Sequence, residues 1–447
     1  MMGMVHGWEP AVLAGGIVLL LVGGWLRIYR LSLAQKLAWG QWFLLGLPWG
    51  VWLGLTLLGI RVNVTVILGF IIVTQLGYVG LGWWRRRLPT PPGAEVSPPE
   101  APTEFLSLAE LRELFGWEHF FVTELRPYRG GAIVAGNLRG NSPAQVHQVL
   151  TEKLRSRVGD AYRLFLVADS QERPALVILP TDEVDSDPLP AWVMGLSVGL
   201  FAFSMVTSWQ MAPGWGLLLG VILLAHEAGH QWQARRYGVR LVCPLWVPTP
   251  ELGSFGAVTR FATAVPHRTA LWDIAVAGPL AGGCVSLMLL LLGLGLSPAA
   301  HGIPVESEWL QSSWLVGGVA QVFLGSALQE PLVRLHPLVT VGWAGLVVTA
   351  LNLLPVGSLD GGRMVQAVYG DKVLRAATLV SIVVLGFLGL SQPVLLSWGI
   401  LILFIQRRPE RPNLEDITEP NDLRAFLTLG VLLVAFLILM PWRTGFP

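Results

Sequence analysis

Long apolar runs alternate with short, mostly basic loops along this chain. Runs of bilayer length, about 17–25 residues, occur near 9–26, 41–60, 63–84, 191–210, 214–232, 271–296, 337–356, 374–391 and 424–441, with a shorter candidate tenth near 393–406. A Gly-rich stretch at 313–329, bounded by Glu308 and Glu330, reads as re-entrant or interfacial. Segments this apolar satisfy their backbone polar groups in lipid only as helices or closed barrels. The pattern therefore predicts a polytopic α-helical membrane protein of about nine to ten transmembrane helices. The first run, Ala11 to Leu26, lacks a basic leader and a small-residue cleavage site, so it reads as a retained span.

The pattern changes between the third and fourth runs. A proline-rich linker at 88–103 opens into a polar stretch, 104–190, with globular patterning. Ser107 with Glu110, and Ser142-Pro143 with Gln145, have the spacing of helix starts, and Gly159 is placed to end the second helix. Gly131 to Leu138, Leu164 to Ala168 and Ala175 to Leu179 are short β-branched or apolar runs that read as strands. A small α+β domain follows from this. The expected division is a three-helix region at 1–87, the linker, the domain, a core at 191–370 and a C-terminal membrane region at 371–447.

Charge sets the orientation. Arg27, Arg30 and Lys36, then Arg85 to Arg87, Arg235, Arg236 and Arg240, Arg363, Lys372 and Arg375, and finally Arg407, Arg408 and Arg411 fall in every second loop. The opposite loops hold little beyond Arg61, Arg334 and Arg443. The basic loops and the α+β domain are expected on the cytoplasmic side, with the N-terminus outside. A composition of 53% hydrophobic and 13% charged residues excludes an ordinary soluble chain. The 20 Trp and 51 Gly suit membrane interfaces and close helix packing. A formal net charge of +1 offers no basic field for nucleic acid, so no nucleic-acid partner is expected. Cys243 and Cys284 sit in unlike segments and suggest neither a disulfide framework nor a thiolate metal site.

The fifth run ends in His226-Glu227-Ala228-Gly229-His230. Residues i and i+4 of a helix lie about 40° and roughly 6 Å apart, so both imidazoles can reach one metal ion, and Zn2+ suits the pair. Glu227, one residue on, is placed to activate water as general base without displacing an imidazole. Ionisable residues in an apolar helix cost on the order of 2.5 kcal/mol or more each, which favours function or an interfacial position. Two histidines leave catalytic zinc short of a third protein ligand. Asp360 is the candidate, in Asn352-Leu353-Leu354-Pro355-Val356-Gly357-Ser358-Leu359-Asp360-Gly361-Gly362-Arg363 at the end of the seventh run. Both runs end on the cytoplasmic face in this topology. Asn352 is a candidate to hold substrate, to stabilise an oxyanion, or to hydrogen-bond the broken backbone. A later glutamate could supply the third ligand instead, but Glu306, Glu308 and Glu330 fall on the far side. A metal-binding transporter or scaffold is the non-enzymatic alternative.

These residues resemble the site-2 protease family of intramembrane metalloproteases, in the branch of cyanobacteria and plastids. The resemblance rests on His226-Glu227-x-x-His230, Asn352-x-x-Pro355 leading into Leu359 to Arg363, and Leu252-Gly253-Ser254-Phe255-Gly256-Ala257. Ala277 to Gly282, His336-Pro337-Leu338 and Gly136 to Gly140 extend it across about 104–370. It implies zinc on His226, His230 and Asp360, Glu227 activating water, and a re-entrant β-like loop at Glu251 to Thr259 whose Gly253, Ser254, Phe255 and Gly256 pair with an unwound substrate. It implies membrane-spanning protein substrates cut during regulated intramembrane proteolysis, in a cyanobacterial-type plasma or thylakoid membrane with the site near the cytoplasmic face. Gly278 and Gly282 form a Gly-xxx-Gly face suited to packing against the metal helix.

Overall fold

A computed structural model describes most of residues 108–388 and 408–440, together with scattered residues between 33 and 85 and Leu395, Trp398, Gly399 and Ile402. The first apolar run, most of the second and third, the linker and Ser107 lie outside the described residues. Residues 1–97 form one unit and 98–447 another. Within the first, Gln41 Nε2 donates to the Tyr78 carbonyl at 3.1 Å.

In the second unit, alternation of apolar and polar side chains builds a small antiparallel sheet. Helix α1 (Leu108–Phe115) leads into β1 (Phe120–Tyr128) and β2 (Gly131–Leu138), then α2 (Pro143–Val158), β3 (Tyr162–Ala168) and β4 (Pro174–Pro180), in the spatial order β1-β2-β4-β3. Pro143 opens α2 where a missing N–H costs nothing, and Gly159 closes it at φ 67°; the Ser142 side chain makes no capping bond. Leu111, Phe115, Phe120, Val134, Leu150, Leu154, Leu166, Leu176 and Ile178 fill the space between sheet and helices. β1 has no counterpart in the apolar pattern, because only its first three residues alternate and Pro127 and the charged Glu124 and Arg126 interrupt it. Such residues suit an edge strand.

The helices that follow are mostly apolar, with polar and charged residues gathered in the second half of α4, in α6 and in the first half of α9. They are α3 (Ala191–Met211), α4 (Leu217–Arg236), α5 (Arg268–Leu296), α6 (Ser307–Gln311), α7 (Trp314–Leu324), α8 (Pro337–Asn352), α9 (Asp360–Leu388) and α10 (Asp422–Leu439). Among the described residues, three helices are long and apolar enough to cross a membrane, at Trp192–Gln210, Arg268–Leu296 and Asp422–Leu439. These spans and the sheet before them fit a membrane protein carrying a small α+β domain. Helix α5 is central and packs against α4, α8 and α9. Two antiparallel strand pairs accompany this core: the hairpin of β5 (Leu245–Thr249) with β6 (Gly253–Val258), and β7 (Ile303–Glu306) with β8 (Leu332–Leu335), which α6 and α7 separate in sequence. The first is clamped by hydroxyls of α3, where Thr207 Oγ1 donates to the Gly253 carbonyl at 2.5 Å and Ser197 Oγ to the Pro244 carbonyl at 2.5 Å. The stretch at 313–329 is α7 followed by a 3-10 turn at Gly325–Gln329.

The run at 374–391 falls, as far as Leu388, in the second of two helical segments that meet at Gly370. α9 begins at Asp360 and is broken at Gly370, whose φ of 78° interrupts the helical path. The carbonyls exposed by the break are met by Arg268, which donates from Nε to Ala367 O at 2.7 Å and from Nη2 to Val368 O at 2.9 Å. The segment between Arg408 and Asn421 returns along this surface and runs beside β3.

Candidate metal centre

His226 and His230 lie one turn apart on α4, with Nε2 atoms 3.0 Å from each other. The Nδ1 of His230 meets the Ile274 carbonyl at 2.8 Å. A carbonyl only accepts, so Nδ1 carries the proton and the Nε2 lone pair is left for a ligand. The ring has this room because Gly278 on α5 carries no side chain: a Cβ there would lie 2.2 Å from His230 Nε2. Gly229 lets the two backbones meet, since its Cβ would stand 2.4 Å from the Ala277 carbonyl oxygen.

Asp360 arrives from the other side. α8 ends at Asn352, the chain turns through Leu353 to Leu359, and Asp360 is the first residue of α9. The turn is tight enough that a Cβ at Gly361 would sit 1.9 Å from Leu353 O. Asp360 Oδ2 is 3.2 Å from His226 Nε2 and 3.4 Å from His230 Nε2. The three donor atoms thus form a near-equilateral triangle with edges of 3.0 to 3.4 Å. A tetrahedral ion with ligands at about 2.0–2.1 Å separates its donors by about 3.3 Å. Two imidazoles and one carboxylate at this spacing fit zinc, with one position open.

Glu227, 7% exposed, faces the same pocket, and its Oε2 accepts a hydrogen bond from Thr259 Oγ1 at 2.9 Å. The pocket is lined by Glu227, His230, Ala257, Thr259, Asn352, Ser358, Leu359, Asp360 and Arg363. Asn352 Nδ2 donates to Phe255 O at 3.2 Å and to Val348 O at 2.9 Å, which ties the end of α8 to β6. Gly253 and Gly256 hold φ of 78° and 94°, a region that favours glycine. Ser254 Oγ accepts from Gly256 N at 3.1 Å, and the Phe255 ring lies 4.9 Å from that of Trp398. The side chains of Ser254 and Phe255 are therefore spent within the packing, while Ala257 and Thr259 reach the pocket. Glu306 and Glu308 lie on and just beyond β7 and Glu330 just before β8, away from this cluster. Sequence reading gave no role to Thr259, which lies at the end of the glycine-rich block.

Residues 216–390 match the family model described as Peptidase family M50, and residues 109–188 the one described as EGY3 middle domain. The Arabidopsis thaliana protein "Probable zinc metalloprotease EGY1, chloroplastic" is 34% identical over 385 residues, or 74% of this chain and 70% of that protein. The chain belongs to peptidase family M50. This is the site-2 protease family that the motifs resemble. The protein of Oryza sativa subsp. indica named "Probable zinc metalloprotease EGY2, chloroplastic" is 35% identical over 358 residues, 75% of this chain and 66% of the relative. "Probable zinc metallopeptidase EGY3, chloroplastic" of Arabidopsis thaliana is 28% identical over 382 residues, 76% and 66% of the two chains. The match thus spans just under two thirds of the EGY2 relative. These names are of plant chloroplast proteins and lend no support to a cyanobacterial setting. No solved structure matches the chain.

Proposed function

We propose that this chain is a zinc endopeptidase that hydrolyses peptide bonds in or near the transmembrane segments of membrane-tethered proteins, in the manner of regulated intramembrane proteolysis. His226, His230 and Asp360 hold the ion, and Glu227 is the catalytic base. The observation that carries the reading is the convergence of those three donor atoms at 3.0 to 3.4 Å beside a buried glutamate. Zinc, when bound, supplies Lewis acidity that polarises a peptide carbonyl and makes water a nucleophile near neutral pH. Glu227 takes the proton of the attacking water and returns it to the leaving amine. The Thr259 hydroxyl, bonded to one oxygen of Glu227, keeps that carboxylate oriented. The Ile274 carbonyl holds His230 in the ligating tautomer.

A helical substrate hides its peptide groups in its own hydrogen bonds and is cut only after unwinding. The hairpin β5–β6 reaches the pocket at Ala257, and an extended segment pairs along β6 once its buried Gly253-Ser254-Phe255-Gly256 block is uncovered. Asn352 serves this by holding Phe255 in place. Helix α8 has 16 residues, a rise of about 24 Å, against about 30 Å for a hydrocarbon core. With α8 starting at the outer interface, a centre at its far end lies within the bilayer near the basic face. The full chain is then a multi-pass protein of about nine to ten spans, with a metalloprotease core at 191–370, the α+β domain on the cytoplasmic side and membrane regions at either end.

The test uses purified full-length protein with a single-span substrate. Glu227→Gln is expected to retain one zinc per chain while turnover falls by at least about 10²-fold, the usual share of a general base. Turnover at the parent rate in that variant, or a zinc-loaded parent that binds membrane helices and cuts none, overturns the proposal.

A further inference from the structure

Arg363 and the segment returning after residue 408 meet beneath the metal centre, and the mechanism above gives neither a task. Arg363 is 6% exposed. Its Nε and Nη2 donate to Glu410 Oε2 at 3.1 and 2.9 Å, and Nη2 also donates to the Thr259 carbonyl at 2.7 Å. Nη1 stands 3.8 Å from Asp360 Oδ1, and the guanidinium carbon lies 4.7 Å from the centroid of Phe261. One buried cation therefore faces two parts of the site. It lies beside the Asp360 oxygen turned away from the histidines, and it grips the backbone of the residue whose hydroxyl holds Glu227.

The partner of that cation is itself held on several sides. Gln366, one turn along α9 from Arg363, makes a reciprocal pair with residue 410: Gln366 Nε2 donates to Glu410 O at 2.8 Å, and Glu410 N donates to Gln366 Oε1 at 3.0 Å. The next residue, Arg411, donates to Phe261 O at 2.9 Å and to Val184 O. Beyond it, Leu166 N donates to Leu414 O at 2.7 Å and Asp416 N to Leu166 O at 3.0 Å, so the segment continues as a neighbour of β3. A charge fixed this firmly can fix another. Without the Glu410 carboxylate, Arg363 has Asp360 as its remaining anion, and a guanidinium drawn to Asp360 competes with the ion for that side chain.

We propose that Glu410 is a positioning residue of the metal centre, which by holding Arg363 keeps Asp360 turned toward His226 and His230 and Thr259 beneath Glu227. The inference rests on the peptidase reading of the site. Its test compares full-length parent protein with Glu410→Gln by steady-state cleavage, thermal denaturation and the visible absorption of the Co(II)-loaded protein. The expected result is kcat lower by about tenfold or more, as for an outer-shell partner. KM should stay within about twofold, and the Co(II) band should shift. Glu410→Asp, which restores the charge, should recover the parent band and most of kcat. Glu172→Gln, which cuts a second link between the α+β domain and the core at Lys372 (2.5 Å) outside the site, should leave both at parent values. A Glu410→Gln protein with parent kcat and parent Co(II) spectrum overturns the proposal. Where Glu410→Gln lowers Tm, the paired Arg363→Met/Glu410→Leu variant removes both charges. A Co(II) band back at the parent position with kcat still low, because Thr259 has lost its donor, supports positioning through Arg363, and a band that stays as altered as in Glu410→Gln once Arg363 is gone overturns it. A parent protein that cuts nothing would end the peptidase reading, while the Co(II) spectra would still decide the placement of Asp360.

Discussion

Gly278 sets a severe steric condition on the His230 ligand. Its missing side chain is the space that the His230 imidazole occupies, with ring atoms 2.2 to 2.5 Å from where a Cβ would stand. Gly278→Ala is expected to push the ring off its hydrogen bond to Ile274 and to weaken zinc binding on the order of 10- to 100-fold. Competition with a chromophoric chelator measures this. Gly283→Ala, whose Cβ would meet only Thr349 Cγ2 at 3.6 Å, should leave the affinity at the parent value. The histidine pair was legible because helical periodicity puts i and i+4 on one face. The tautomer was not, because the carbonyl that sets it comes from α5. Nor was Thr259, whose hydroxyl gains meaning only when the hairpin folds back over α4.

Among the elements, α9 shows how a local break is stabilised from a distance. Gly370 has open space around its Cα, so its role is conformational: it turns the chain through positive φ and leaves carbonyls without helical donors. Arg268, 8% exposed at the start of α5, supplies those donors. Arg268→Met is expected to cost about 1–3 kcal/mol for each carbonyl left unpaired. Thermal denaturation in detergent reads this as a lowered Tm, and an unchanged Tm would show that water or another group takes over. The sequence announced the strands β2, β3 and β4 by their apolar runs and the start of α2 by Ser142-Pro143. It hid β1, an edge strand with little periodicity, and it hid how the break at Gly370 is capped, because the capping Arg268 comes from α5.

Within residues 98–447, the α+β domain and the helical core are joined by the segment at 408–421, which runs between β3 and the loop before α5. Leu414 N donates to Val265 O at 2.8 Å and Glu415 N to Pro266 O at 2.9 Å, while Leu166 is bonded from both sides by Leu414 and Asp416. His147 lies under this junction with Nε2 3.0 Å from the Leu164 carbonyl. Burial holds its imidazole below the usual histidine range; the Leu164 carbonyl and the charge of Glu415 act against that, and His267 adds to it. The unfolded chain takes up this proton near pH 6.5 and the folded chain only at lower pH, so protonation favours unfolding and stability falls as pH drops below about 6.5. Asp416, raised by burial, acts in the opposite sense. The readout is therefore a difference between proteins. Protection factors of the amides in the α+β domain, exchange rates corrected for their intrinsic pH dependence, should fall from about pH 7 to 5.5 more steeply in the parent than in His147→Gln. Equal slopes would remove His147 from the account.

Hydropathy, charge alternation and the spacing of His226, Glu227 and His230 were enough to mark a membrane protein with an inserted α+β domain and a metal-binding helix, because each is a local regularity of the chain. Asp360 was already the expected third ligand, but its distances to the two imidazoles, the room made by Gly278 and the support reaching Arg363 from Glu410 were decided by the tertiary structure. They join residues 47 to 134 positions apart, and contact over such a separation is set by how helices pack rather than by any pattern along the sequence.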